Sequence, residues 1–172
     1  MDLVRKYKFS WDLIGDLKEG RPNLGNKTRL EVYRLMQFTL RDVIEQHFGP
    51  EETDKIFFDA GFLAGKEFYK NVMKPEKELN AYIRQLQELL IEFGIGILRI
   101  EKADIEKGEL IVTVSEDLDC SGLPDLEHEI CTYDEGLISA LLECFTGVKF
   151  TVKEIDCWCT GDRTCRFACF SQ

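Results

Sequence analysis

The sequence is poor in histidine, proline and positive charge. Two histidines among 172 residues leave little material for imidazole chemistry, and no Ser/His/Asp order points to hydrolysis. No phosphate loop, dinucleotide fingerprint or nucleophile elbow occurs along the chain, so catalysis has little support. The 22 Lys and Arg are outnumbered by 32 Asp and Glu, a formal net charge of −10. Such a surface repels phosphate backbones and anionic lipid, so neither nucleic acid nor a membrane is an expected partner. Long apolar runs are missing too. The most apolar stretch, residues 89–98, is broken by Glu92 and is too short to span a bilayer. The N-terminus has no apolar segment behind a basic start, so no signal peptide is expected and the location expected is cytoplasmic. With four prolines, no linker and no internal repeat, one domain over residues 1–172 is the simplest organisation.

Cysteine, by contrast, is abundant. Four of the seven, Cys157, Cys159, Cys165 and Cys169, lie in the last sixteen residues, split by Thr160-Gly161-Asp162. If Gly161 centres a tight hairpin, Cys157 faces Cys165 across the ladder at about 4.5–5.5 Å between Cβ atoms. Two thiols held that close are ligands of one metal or partners in a disulfide. A reducing compartment and an odd cysteine count both favour metal. Zinc accepts thiolate and carboxylate in a tetrahedral site, and a third ligand could come from Cys131, Cys159 or Cys169. The bland alternative is that the thiols are buried and pack as small hydrophobes.

Periodicity then orders the rest. Residues 1–25 read as a short strand or extended arm followed by a loop. Thr28-Arg29-Leu30-Glu31 has the form of a capping box opening a helix to about His47. Gly49-Pro50 ends it, and Glu51-Glu52 suit the positive start of a second helix to about Met73. A third helix carries Leu79, Tyr82, Ile83, Leu86, Leu89, Leu90 and Phe93 at a 3.6-residue period. Period two follows, with Leu110, Val112 and Val114 on one face, paired to residues 96–101 across a Lys107-Gly108 turn. Thr132-Tyr133-Asp134-Glu135 is a second capping-box pattern, starting a helix that stops at Gly147. In the terminal hairpin, apolar residues change parity between Val152 and Ile155. A β-bulge near Lys153-Glu154 would restore one inward face.

Two helices carry further signals. The second contains Ala60-Gly61 and Ala64-Gly65 among aromatics. Each helical glycine costs on the order of 1 kcal/mol against alanine, so a close neighbour should offset it. Tight helix packing is one reading and the wall of an apolar pocket is the other. The first helix is apolar on two stripes, which dimerisation or a cavity would explain. His47, near its end, could hold haem but more simply packs or caps, and His128 lies close enough to Cys131 to be a minor metal candidate.

The motifs Cys131, Gly136-Leu137-Ile138-Ser139-Ala140, Gly147, Glu154-x-x-Cys157 and Gly161-Asp162-x-x-Cys165-Arg166-Phe167 resemble the 4-vinyl reductase domain family over about residues 120–170. The resemblance implies an α+β fold, N-terminal helices packed on a mostly antiparallel sheet, shared distantly with haem-based gas sensors and vesicle-tethering subunits. It implies a zinc ion on Cys131, Glu154, Cys157 and Cys165, bracing the C-terminal hairpin. Cys159 and Cys169 depart from the pattern as extra thiols able to compete for the fourth position. The function implied is a sensor or carrier domain for a hydrocarbon, aromatic or tetrapyrrole-type ligand. The alternatives are a dimeric scaffold of the vesicle-tether-like fold and an accessory subunit of a tetrapyrrole vinyl reductase. The expected assembly is a homodimer. The expected cavity, about 300 Å³ or more, lies between the second helix, the third helix and the sheet.

Overall fold

The computed structural model describes residues 5–104 and 107–172; the first four residues of the expected N-terminal arm lie outside them. In place of a strand, the arm forms a 3-10 turn at Trp11–Ile14 and a short helix α1, Leu17–Gly20. Asp16 starts α1 by accepting the amides of Lys18 at 2.9 Å and Glu19 at 3.0 Å, the exchange that makes Asp a good cap.

Helix α2, Leu30–Phe48, forms where its periodicity predicts, but the capping box does not. Arg29 is the N-cap, no side chain caps the helix, and Glu31 pairs with the Arg29 guanidinium. None of its residues is buried. Polar ties hold its inner face: the Tyr33 hydroxyl donates to Asp119 at 2.7 Å, and Arg34 donates to the carbonyls of Leu118 and Ser121, each at 2.9 Å. Leu30, Val32, Leu35, Met36, Leu40 and Val43 are left exposed.

Gly49, at φ 80°, turns the chain into α3, Pro50–Asn71, with Pro50 in its first turn, where a missing N–H costs nothing. The small ridge of α3 packs on α5, Thr132–Thr146. A Cβ at Gly61 would stand 1.9 Å from the Tyr133 carbonyl oxygen, and one at Gly136 would stand 2.0 Å from that of Phe58. Tight packing within the chain therefore accounts for Gly61. Helix α4, Leu79–Glu92, buries Tyr82, Leu86 and Leu90 of its expected stripe. Tyr82 stacks on Phe145 at 4.2 Å and donates its hydroxyl to the Leu141 carbonyl at 2.9 Å.

The sheet contains β1 (Ile97–Asp104), β2 (Glu109–Ser115), β3 (Phe150–Asp156) and β4 (Cys165–Ser171), antiparallel in the order β1-β2-β4-β3. Val112, Val114, Val152, Cys165, Phe167 and Cys169 fill the buried core with α4 and α5. The fold is thus α+β, as expected.

The bulge is present. Glu154 pairs with Phe167 and Asp156 with Arg166, so Ile155 is the extra residue. Its consequence differs from the parity reading: Ile155 is 44% exposed, while Glu154 takes the inward position at 3%. A second register shift in β1, between Ile100 and Lys102, left no comparable parity signal. The β3–β4 connection is longer than a tight hairpin and includes a 3-10 turn at Trp158–Thr160, closed by Gly161 at φ 97°. Cys157 and Cys165 lie one step beyond the Asp156–Arg166 pair, which is the last of the ladder, so they are not the cross-strand pair that a tight hairpin would give.

Candidate metal centre and ligand cavity

Four thiols converge under this connection. Cys120, Cys131, Cys157 and Cys165 are all fully buried, and their Sγ atoms lie within 4.8 Å of one another. Each is delivered by different local chemistry. Asp117 accepts the amides of Asp119 at 2.8 Å and Cys120 at 3.0 Å, folding the loop back so that Cys120 points inward. Cys131 is the N-cap of α5, and its amide donates to Glu154 Oε2 at 3.1 Å. Cys157 opens the 3-10 turn, its amide donating to Thr160 Oγ1 at 3.2 Å. Cys165 begins β4.

Cys131 Sγ is 3.9 Å from Cys157 Sγ and 3.8 Å from Cys165 Sγ. A tetrahedron with Zn–S bonds of about 2.3 Å has edges of about 3.8 Å, so these separations fit a zinc ion. Cys120 and Cys165 are closer, at 3.0 Å, yet well beyond the roughly 2.05 Å of a disulfide. All seven cysteines are free thiols. Hydrogen bonds from Cys120, Cys131 and Cys165 hold the Cys157 thiol far below its ordinary range, whereas hydrogen bonding to Cys120, then to Cys157 and Cys165, pushes Cys131 up. A divalent cation bound among these four sulfurs would release their thiol protons.

Of the four ligands implied by resemblance, Cys131, Cys157 and Cys165 therefore stand together. Glu154 lies beside them on the Cys131 amide, with Oε1 buried and without a partner. Burial first, and then the Cys157 charge, raise its carboxyl to about 8. Cys120 completes the thiol quartet, and the sequence alone did not single it out. The available signal was a cysteine eleven residues before Cys131, in a stretch with no other reason to fold inward. Cys159 and Cys169 are buried outside the quartet. His128 and His47 are exposed, His128 with Nδ1 against the Leu126 carbonyl at 2.8 Å. Nor does Glu135 cap α5: it accepts the Glu154 amide at 2.8 Å and pairs with Lys153 at 2.9 Å. The second capping box is thus absent, and Thr132 Oγ1 is buried without a partner.

The loop and helix that carry Cys120 and Cys131 also line two cavities. One, about 50 Å³, lies between α4, the sheet and α5, bordered by Tyr82, Leu86, Leu98 and Val114. The other, about 270 Å³, is bordered by Trp11, Tyr33, Ala64, Phe68, Tyr133 and Leu137. Neither cavity has the expected lining of α3, α4 and the sheet together, and neither reaches the expected size of about 300 Å³. The larger of the two touches α3 but is covered by the N-terminal segment and α2, because α5 fills the space between α3 and the sheet. Asp134 lines both cavities, Asp117 the smaller and Asp119 the larger. Burial, with Asp119 beside it, raises the Asp117 carboxyl to about 7, and burial raises Asp119 and Asp134 as well.

A family profile described as the V4R domain matches residues 110–169. A protein of Methanocaldococcus jannaschii is 24% identical over 145 residues, covering 84% of this chain and 78% of that protein. Three solved structures share the fold. A vinyl-4-reductase family protein from the same organism gives a TM-score of 0.59 at 16% identity, covering 86% of this chain and 84% of that one. The phenol-responsive sensory domain of the transcription activator PoxR, with phenol, gives 0.62 at 15%, covering 86% and 78%. A trafficking protein particle complex subunit 3 from Naegleria fowleri, covalently bound to palmitic acid, gives 0.66 at 12%, covering 83% and 95%. Over residues 110–169, which hold Cys120, Cys131, Glu154, Cys157 and Cys165, the chain thus matches the V4R domain, and its resemblance to the 4-vinyl reductase domain family is shown there.

Proposed function

We propose that residues 1–172 form one ligand-binding domain, a sensor or carrier that encloses an apolar small molecule and is braced by zinc. The observation that carries this reading is the 270 Å³ cavity walled by Trp11, Ala64, Phe68 and Leu137. Its size is near the lower end for small-molecule pockets. The PoxR domain, named as phenol-responsive, and the palmitate-bound trafficking subunit are neighbours of this fold whose printed ligands are largely apolar.

In this reading Cys131, Cys157 and Cys165 hold zinc, with Cys120 in the position the resemblance gave to Glu154. Zinc there supplies fixed positive charge that keeps the thiols deprotonated and ties the 117–121 loop, the start of α5 and the β3–β4 connection together. Glu154 positions Cys131 through its amide, and the same loop and helix continue into the cavity wall. Ligand occupancy and metal affinity should therefore assist each other. Four free buried thiols suit a reducing, cytoplasmic setting. Among the described residues no helix is long and apolar enough to cross a membrane.

One observation favours a second element. The exposed apolar face of α2 supports a homodimer, which serves a sensor as well as the scaffold reading that the trafficking neighbour brings to mind. Organic extraction and mass spectrometry of the purified native protein test the ligand itself. One apolar compound at near-stoichiometric amount is expected. Thermal-shift screening with aromatic and hydrocarbon probes should then raise the melting temperature as occupancy rises, and Ala64→Trp, which fills the cavity, should abolish the shift. An empty extract together with no shift from any probe would make the scaffold reading the better one.

A further inference from the structure

We propose that residues 5–28 form a hinged lid over the larger cavity, which opens to admit the occupant and closes on it through Phe9 and Trp11. This deepens the ligand-binding reading and rests on it. Phe9, Trp11 and Ile14 close one side of the cavity, while Ala64 and Phe68 of α3 and Leu137 of α5 belong to its packed body. The two sides are held very differently. Gly61 and Gly136 bring α3 and α5 together backbone to backbone, and α2 is anchored to the 117–121 loop through Tyr33 and Arg34. Among the described residues, no hydrogen bond or ion pair joins residues 5–28 to the rest of the chain.

The segment's backbone bonds close on itself instead. Leu13 donates to Ser10, Gly15 to Asp12, Gly20 to Asp16, Arg21 to Leu17 and Gly25 to Arg21, all at 2.9–3.1 Å. Phe9 and Trp11 are half-buried, and every other residue of 5–28 is exposed. Lifting the segment therefore breaks no hydrogen bond to the body and uncovers two aromatic side chains. Segments with so few buried contacts are the first to open. Gly25, at φ 68° with nothing within 4 Å of an added Cβ, lies between the segment and α2, where it can absorb the backbone rotation of a hinge. An apolar occupant gives Phe9 and Trp11 a contact that an empty cavity denies them, so occupancy shifts the segment toward its closed state. The position of an exposed segment then reports what the buried cavity holds.

The test uses naphthalene on the intact, metal-loaded protein, followed by hydrogen exchange and by stopped-flow fluorescence of the probe. Without naphthalene, the amides of Gly20, Arg21 and Gly25, which bond only within the segment, should exchange at least about tenfold faster than those of α5. Saturating naphthalene should slow them by about tenfold or more, although none of the three lines the cavity. Trp11→Ala should raise the association and dissociation rate constants together, each by about tenfold, because the lid then stands open more often. A residue that only lined the wall would raise dissociation and leave association unchanged. Binding that Ala64→Trp removes, with segment exchange unaffected by naphthalene, would overturn the lid and leave the ligand-binding reading intact. An unchanged association rate in Trp11→Ala would do the same. If naphthalene does not bind, the lid falls as well, and an empty native extract then takes the ligand-binding reading with it. Exchange measured on the unmodified protein decides the matter even if Trp11→Ala fails to fold.

Discussion

The thiol of Cys120 lies 3.0 Å from that of Cys165, although 45 residues separate them. Nothing in the sheet register requires that contact, because Cys120 is in a loop held by the Asp117 carboxyl. A thiolate is the better zinc ligand in such company, so Cys120 rather than Glu154 should complete the coordination. Elemental analysis of reduced protein should give one zinc per chain, and Cys120→Ser should fall well below that. Glu154→Gln should keep the stoichiometry and weaken binding by about 10–100-fold, as for a group that orients a ligand. The opposite ranking would return the fourth position to Glu154.

Helix α3 meets α5 at van der Waals distance only because three glycines, Gly61, Gly65 and Gly136, face carbonyls of the opposite helix. Gly61→Ala drives a methyl group against the Tyr133 oxygen, 1.9 Å from its ideal position, and both partners are backbone. The expected cost is about 1–3 kcal/mol or more, seen as a lower urea midpoint with little change in slope. Gly20→Ala is the control: nothing lies within 4 Å of its added Cβ, and it should be near neutral.

Much of this arrangement was legible in the residues. The 3.6-residue stripe of α4, the strand at Leu110–Val114 and the parity break at Glu154 each follow from burial of one face, which the order of residues encodes directly. That the expected cavity between α3, α4 and the sheet does not form was not legible, because it depends on how closely α5 approaches α3. That distance is set by Gly136 against the Phe58 carbonyl, two residues 78 positions apart. Both capping-box patterns failed for a related reason. Glu31 had Arg29 beside it, and Glu135 found the Glu154 amide across the fold. In each case another partner, local for Glu31 and tertiary for Glu135, took the side chain that the motif assigned to the helix. Cys120 was missed because irregular loops carry no periodicity to say which side chains point inward.

The exposed face of α2 makes a separate prediction about assembly. Leu35 and Met36 are 67% and 63% exposed, and no residue of the helix is buried. A self-interface centred there should bury at least about 1,000 Å² in total. Light scattering should give a dimeric mass for the unmodified protein and a monomeric mass for Leu35→Glu. The melting behaviour of that variant at saturating ligand should remain cooperative, since the substitution touches no buried side chain. A monomer at all micromolar concentrations would remove the homodimer.

Alkaline pH offers a test that does not involve the metal quartet. Cys169 lies in β4 opposite Leu110 and Val152, and burial alone pushes its thiol from 9.0 to about 12. Below pH 9 the thiol is protonated in both folded and unfolded chains, so it adds no pH dependence. Between pH 9 and 12 the unfolded chain releases this proton while the folded one keeps it, so stability falls as pH rises. One such group contributes a slope of up to about 1.4 kcal/mol per pH unit. Cys169→Ala loses packing at every pH, but it also removes this slope. The stability difference between the unmodified protein and the variant should therefore be constant from pH 7 to 8.5 and shrink steadily from pH 9 to 10.5. Groups common to both proteins cancel in that difference. A difference that stays flat across the whole range would show that the Cys169 thiol titrates in the folded chain as it does in the unfolded one, and that β4 opens to solvent at this position.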